Sequence, residues 1–175
     1  MALTIRNGRS ILILERSVQN IPARPSRTPV QSKERIVPYS EQETANLTVV
    51  QEALAAATSD FTKFFEAIFA TDVEWTIAGH GPVARTYNGL EDLFTNAEAA
   101  LFSRFAEPLR ITVRGVWADG DKVFAQIDSA TTAKDGKPYA NGYMYIMSME
   151  DGKVVSGIEW LDLTAYYEIL DRVDP

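Results

Sequence analysis

Three Asp-Gly pairs, Asp119-Gly120, Asp135-Gly136 and Asp151-Gly152, punctuate the second half of this chain, and between them apolar residues recur at every second position. Each pair accepts the positive φ that a tight hairpin turn demands. Four strands therefore follow, near Leu109 to Trp117, Lys122 to Thr132, Tyr139 to Met149 and Val154 to Leu163, running as successive antiparallel hairpins. Upstream the period is helical. Leu47, Val50, Leu54 and Ala57 mark a first amphipathic helix from about Glu43, and Phe61, Phe64, Phe65, Ile68 and Phe69 a second, with Ser59 or Asp60 as its N-cap. A strand from about Val73 to Ala78 is broken by Gly79-His80-Gly81-Pro82. Tyr87-Asn88-Gly89 then leads into a third helix with Leu90, Leu93, Phe94, Ala97, Leu101, Phe102 and Phe105 along one stripe. A last helix from about Thr164 to Leu170 closes the chain. Helices first and a curved meander afterwards predict an α+β fold, with three N-terminal helices covering one face of an antiparallel sheet.

At 175 residues, 46% hydrophobic and 23% charged, the chain fits one domain plus an extension. A domain of that size buries enough surface to need neither disulfide nor metal, and the absence of cysteine excludes disulfides, thiolate zinc sites and a cysteine nucleophile. Charge divides the chain. Met1 to Tyr39 holds seven Lys/Arg against two Asp/Glu, a net +5, whereas the remainder holds 10 against 22, a net −12. The acidic body argues against nucleic-acid binding. The basic segment carries Pro22, Pro25 and Pro29, which favour extended chain, so residues 1–42 read as an arm and linker with a short strand around Ser10 to Leu14, and residues 43–175 as the domain. The arm is expected to lie solvated on the acidic body or on a neighbouring subunit. Ile11-Leu12-Ile13-Leu14 is too short for a secretory core or a membrane span, so a cytoplasmic protein without membrane contact is expected. No Gly-rich phosphate loop is present, and Asp119, Asp121, Glu150 and Asp151 fall in turns, so neither nucleotide, other cofactor nor metal is expected.

The chemistry-bearing candidates lie on the strands. Alternation places Phe124, Gln126 and Asp128 on one face of one strand and Ile158, Trp160 and Asp162 on one face of the last, and this apolar company reads as an interior. A carboxylate in an apolar site raises its pKa rather than carry an unpaired charge, so Asp128 and Asp162 in one cavity would share a proton and act as general acid and base. The alternative for each is a rim position or hydrogen bonds to backbone amides. His80 is the only histidine, which removes histidine-rich metal sites; between two glycines it is either an exposed turn residue or a second proton-transfer group at the cavity mouth. Tyr143, Tyr145, Met147 and Met149 share one face, with Met144 and Ile146 opposite, a stripe that reads as core or dimer interface. Asn141 and Tyr87 offer hydrogen bonds at a pocket mouth, and Trp75, Phe94, Phe102 and Trp160 supply bulk and apolar walls for a small hydrophobic ligand.

The element order resembles the nuclear transport factor 2-like cone from about Glu43 to Ile169. Asp72-Val73-Glu74-Trp75-Thr76-Ile77-Ala78-Gly79, Tyr87-Asn88-Gly89 opening a helix, Asp151-Gly152-Lys153-Val154-Val155 and Glu159-Trp160-Leu161-Asp162 are similar to the SnoaL-like polyketide cyclase and ketosteroid-isomerase-like branch. Gly136-Lys137-Pro138-Tyr139 through Asp162-Leu163-Thr164-Ala165-Tyr166 is similar to limonene-epoxide hydrolases. The resemblance to those hydrolases implies an Asp-Arg-Asp triad in which Asp128 and Asp162 match the aspartates. Gln126 stands where the arginine would be, and Trp75 and Ile77 stand where a tyrosine and an asparagine hold the hydrolytic water. Glutamine can orient a carboxylate but cannot neutralise two, so one of the pair takes up a proton. The base and the oxyanion acid of ketosteroid isomerase map near Trp75 and Met144, so the resemblance does not predict steroid isomerisation. In the cyclases an aspartate ending the last strand moves a proton, the position of Asp162, and the family commonly dimerises through the outer face of the sheet. The expected protein is a cofactor-independent acid-base enzyme acting on a polyketide-, terpenoid- or steroid-like molecule, or a ligand-binding or dimerisation module of the same fold.

Overall fold

The computed structural model describes residues 38–175 and, before them, the short strands β1 (Ile5–Arg6) and β2 (Arg9–Ser10), which pair antiparallel. The chain divides into two compact units, Met1–Ile36 and Val37–Pro175. The extension of a strand to Leu14 and the proline-containing linker lie outside the described residues.

In the larger unit α1 (Glu41–Ala56) opens with a capping box, in which the Ser40 hydroxyl accepts from the Glu43 amide while the Glu43 carboxylate accepts from the Ser40 amide. α2 (Thr62–Ile68) starts one residue later than its expected cap implies. Phe61 occupies the N-cap position, and Asp60 still accepts from the Thr62 amide. Phe61, Phe64 and Phe65 are fully buried, each stabilising the fold by roughly 2–3 kcal/mol; the Phe61 ring stacks on Phe64 and Tyr145 and meets Phe65 edge-on. The third helix is not continuous. It runs as α3 (Leu90–Leu93), a π-helical turn (Phe94–Glu98) and α4 (Ala99–Phe102), and Phe105 falls beyond it in an isolated bridge to Ala133. α5 (Leu163–Arg172) ends the fold.

Strands β3 (Phe69–Ile77), β4 (Thr86–Asn88), β5 (Arg110–Asp119), β6 (Lys122–Thr132), β7 (Pro138–Glu150) and β8 (Lys153–Leu161) form one curved sheet in the order β4-β3-β8-β7-β6-β5. β5 to β8 are the expected antiparallel meander, and each Asp-Gly turn has its glycine at positive φ, between 62° and 79°. β3 departs from it by pairing parallel with β8. The α+β cone expected from the sequence is the fold observed.

Which face of the sheet is inside differs from expectation. Val123, Ala125 and Ile127 of β6 and Tyr139, Tyr143, Tyr145, Met147 and Met149 of β7 form the buried face. The tyrosine-methionine stripe is therefore core, not a subunit interface. Phe124, Gln126, Asp128, Met144, Ile146, Ile158 and Trp160 point the other way, to the outer face. Because side chains alternate with period two, taking the wrong face inverts a whole strand at once.

Candidate functional site

The inner face meets the helices in a cavity lined by Phe61, Leu101, Tyr143, Tyr145 and Tyr166 and by two acids, Glu98 and Glu159. Glu159 comes from β8, next to Tyr145 across the β7–β8 ladder and Ile77 across the β3–β8 ladder. Glu98 comes from the π turn, whose extra residue shifts the helix face so that both Ala97 and Glu98 are buried. Their exposures are 2% for Glu159 and 7% for Glu98, and no Lys, Arg or His lines the cavity.

The two carboxyls differ in their partners. Glu159 accepts a 2.8 Å hydrogen bond from the Trp75 indole Nε1–H. Trp75 reaches it because its ring lies over Gly157, its cross-strand neighbour, where a methyl group would overlap the indole. Burial pushes the Glu159 carboxyl up to about 7, with the indole N–H working against that rise. Glu98 has no hydrogen-bond partner among the described residues; burial, and then the neighbouring charge of Glu159, hold its carboxyl well above the ordinary range. Around them burial raises the phenols of Tyr143, Tyr145 and Tyr166, so all three remain neutral near pH 7. The arrangement thus sets two carboxyls side by side, both raised by burial, and a proton held between them equips the cavity to accept and donate one. The free space, measured as room for the centre of a water-sized sphere, is about 10 Å³, enough for about one water.

The aspartate pair is not assembled in this cavity. Asp128 lies on the outer face with half its side chain exposed, paired to Arg114 through Nε and Nη2 at 2.7 and 2.6 Å. Asp162 is the N-cap of α5, its Oδ1 accepting from the Thr164 and Ala165 amides at 2.8 and 3.3 Å. Gln126 is exposed on the same face as Asp128, and Met144 and Trp160 line the same shallow outer depression as these two. These four residues do come together, but outside the cone. His80 is exposed in its glycine loop, where its carbonyl oxygen faces the Tyr167 hydroxyl.

Of the expected ligand contacts, Trp75, Ile77 and Phe102 belong to the inner site, the first through Glu159 and the others as walls. Tyr87 is buried behind the lining, donating to the carbonyl of the wall residue Val83 at 2.7 Å beneath the Arg85 guanidinium. Phe94 lines a surface groove with Leu90 and Glu66. Asn141 points inward, but its amide is used on Tyr139 and on both backbone groups of Asp162, tying β7 to the end of β8. Among the described residues no group of three or more His, Asp or Glu side chains is arranged to hold a metal ion, and no helix is long and apolar enough to cross a membrane.

Glu98 and Glu159 were not among the sequence candidates, although signals for both exist. Position 98 sits inside the apolar stripe of the third helix, four residues after Phe94 and three before Leu101. Glu159 alternates with Ile158 and Trp160, so it becomes interior once the purely apolar face of β6, Val123-Ala125-Ile127, is taken as the core.

The curved sheet and the helices packed on it define a fold of the nuclear transport factor 2-like type. The chain belongs to the SnoaL-like domain family, whose model matches residues 50–157. Among solved structures it is similar to a putative SnoaL-like polyketide cyclase from Jannaschia sp. CCS1, with 17% identity over 79% of this chain and 99% of that one at a TM-score of 0.60. It is also similar to AclR, a putative hydroxylase from Streptomyces galilaeus, with 16% identity over 76% and 89% and a TM-score of 0.58. An LEH-like epoxide hydrolase of M. tuberculosis gives 15% identity over 75% and 93% and a TM-score of 0.54. At these identities the likeness is one of fold. No curated protein matches the sequence.

Proposed function

We propose that the chain is a cytoplasmic, cofactor-independent enzyme that moves protons on a small, largely apolar molecule inside the cone, with Glu159 and Glu98 in the role expected of Asp128 and Asp162. The observation that carries this reading is the burial of two carboxyls on one aromatic cavity with no cation to neutralise them. Such a pair costs folding stability that an apolar pair of similar volume would not, which is the usual mark of a functional site. Glu159, poised near neutrality, is the base. Glu98, protonated, donates to the oxygen on which negative charge develops, and Trp75 orients Glu159 through its indole N–H.

Substrate must displace the water-sized space and move a wall. Phe102 and Leu161 are the half-buried members of the lining, and rotating them outward widens the cavity with least loss of packing. Substrates of polyketide or terpenoid character suit these walls, and the cyclase among the structural relatives supports that class. The test is turnover of a panel of polyketides, lactones and epoxides. Glu159→Gln should abolish conversion while leaving affinity within about threefold, and an unchanged rate in that variant would sink the assignment.

The narrowness of the cavity favours a second reading, a ligand-binding or dimerisation module of the same fold, which gives no turnover in the parent protein. In either case the outer face supplies a subunit contact. Ile158, Ile146, Phe124 and Trp117 are successive cross-strand neighbours and form one apolar row across the meander, with Trp160 beside it. Trp117 and Trp160 are 46% and 43% exposed. Arg114 and Asp128 flank this row with opposite charges, so a second copy related by a two-fold axis can exchange the pair across the interface. A homodimer through this face is the assembly proposed.

A further inference from the structure

We propose that the apolar molecule bound in the cone carries an amino group, held as its ammonium ion against Glu159 with its apolar body between the aromatic walls. This rests on the reading of the Glu98–Glu159 cavity as the ligand site. Charge is the first ground. Every ionisable group on the lining is an acid, two carboxyls and three phenols, and the described residues provide no guanidinium, ammonium or imidazole to balance them. A carboxylate formed there has no counter-ion among the described residues, and a bound cation would supply one.

Geometry is the second ground. Glu98 is more than nine-tenths buried, lines the cavity and has no hydrogen-bond partner among the described residues, so an acceptor faces the space with its bonding capacity unused. Glu159 spends one oxygen on the Trp75 indole. The walls are the third. Phe61, Phe102, Tyr143, Tyr145 and Tyr166 present rings to the same space, and the negative faces of aromatic rings attract a cation as they do in sites for alkylated ammonium groups. With one ammonium bound, Glu159 ionised and Glu98 protonated, the site is neutral overall, and Glu98 keeps its proton for a second polar group of the ligand. An anionic ligand of the same shape meets only repulsion.

The titratable groups facing Glu159 are Glu98 from the π turn, Tyr139, Tyr143 and Tyr145 from β7 and Tyr166 from α5, with Trp75 from β3 as the neutral donor. Since burial keeps the phenols protonated, the pH dependence of amine binding reports the carboxyls. Affinity should rise as Glu159 ionises.

The experiment is a matched titration at about pH 7.5 of phenethylamine, phenethyl alcohol and phenylacetate, followed by the Trp75 indole N–H resonance of the intact protein. The amine is expected to bind about tenfold more tightly than the alcohol, the carboxylate not at all, and Glu159→Gln to bring amine and alcohol within about twofold. Unchanged near-ultraviolet circular dichroism shows that the variant is folded, and Glu98→Gln provides a second variant that retains the Trp75–Glu159 bond. If the alcohol moves Trp75 and binds as tightly as the amine, the charge inference is overturned while the cavity remains a ligand site. An amine preference that survives in the Glu98→Gln/Glu159→Gln double variant places the cation on the acidic surface and also overturns it. If none of the three compounds moves Trp75, the cavity reading falls and the inference with it.

Discussion

Glu159 shows how one side chain can tie stability to pH. Its carboxyl lies near 7 in the fold against 4.5 when solvated, so the folded state holds a proton that the unfolded chain has released across that interval. The sign follows from linkage. A group raised on folding gives its full contribution below the unfolded pKa and loses it as pH climbs through the folded one, so unfolding free energy should fall by about 3 kcal/mol between pH 4.5 and 7 from this group. Denaturant titrations across that range should show the slope, and Glu159→Gln should reduce it, leaving the part due to Glu98, and leave the variant more stable than the parent at pH 8. Gly157 makes the contact possible by lacking a side chain. Gly157→Ala would press a methyl group against both the indole and the Ile146 carbonyl oxygen, so a loss of about 1–3 kcal/mol is expected. The Glu159 carboxyl, deprived of its donor, should then titrate higher still, which carbon-detected NMR of the glutamate side chain would read directly.

At the scale of elements, Asp162 belongs to a helix rather than to a reaction. Asp162→Ala removes the acceptor for two amides of α5 and should cost about 1 kcal/mol, measured by thermal unfolding, with no change in ligand affinity or turnover. A loss of turnover with unchanged stability would return the residue to the chemistry. The same strand end explains how much the sequence disclosed. The existence, order and turns of β5 to β8 were legible because Asp-Gly pairs and period-two runs are local signals. Their facing was not, because β6 alternates Phe124, Gln126 and Asp128 against Val123, Ala125 and Ile127, and a lone aromatic on the mixed face resembled core. The stripe of the third helix was legible too, but the π turn that carries Glu98 inward has no local signature in Phe94-Thr95-Asn96-Ala97-Glu98. Likewise the parallel pairing of β3 with β8 joins segments far apart in the chain, and strand periodicity says nothing about which distant strand lies alongside.

For the whole molecule, the row from Ile158 to Trp117 is where the proposed dimer is tested. Contiguous exposed apolar surface of this kind marks an interaction site, so sedimentation velocity should give a dimer for the parent. Ile158→Lys together with Trp160→Arg should give a monomer with the fold intact. A parent that sediments as a monomer at every concentration would rule out the two-fold contact. Arg114→Glu, which places like charges beside Asp128, should weaken the dimer, and adding Asp128→Arg should restore it if the pair is exchanged between copies.

The indole of Trp75 and the carboxylate of Glu159 stand 84 positions apart, on the two strands whose parallel pairing closes the cone. Joining them means closing a loop of most of the domain, and the entropy of that closure is recovered only when β8 docks beside β3. During synthesis, therefore, the helices and the earlier hairpins can collapse while the cavity does not yet exist, since its last wall is supplied by β8 and α5, which emerge after them. The competence of the pocket is thus a late event in folding, and a fluorescence change at Trp75 on refolding should lag the formation of secondary structure.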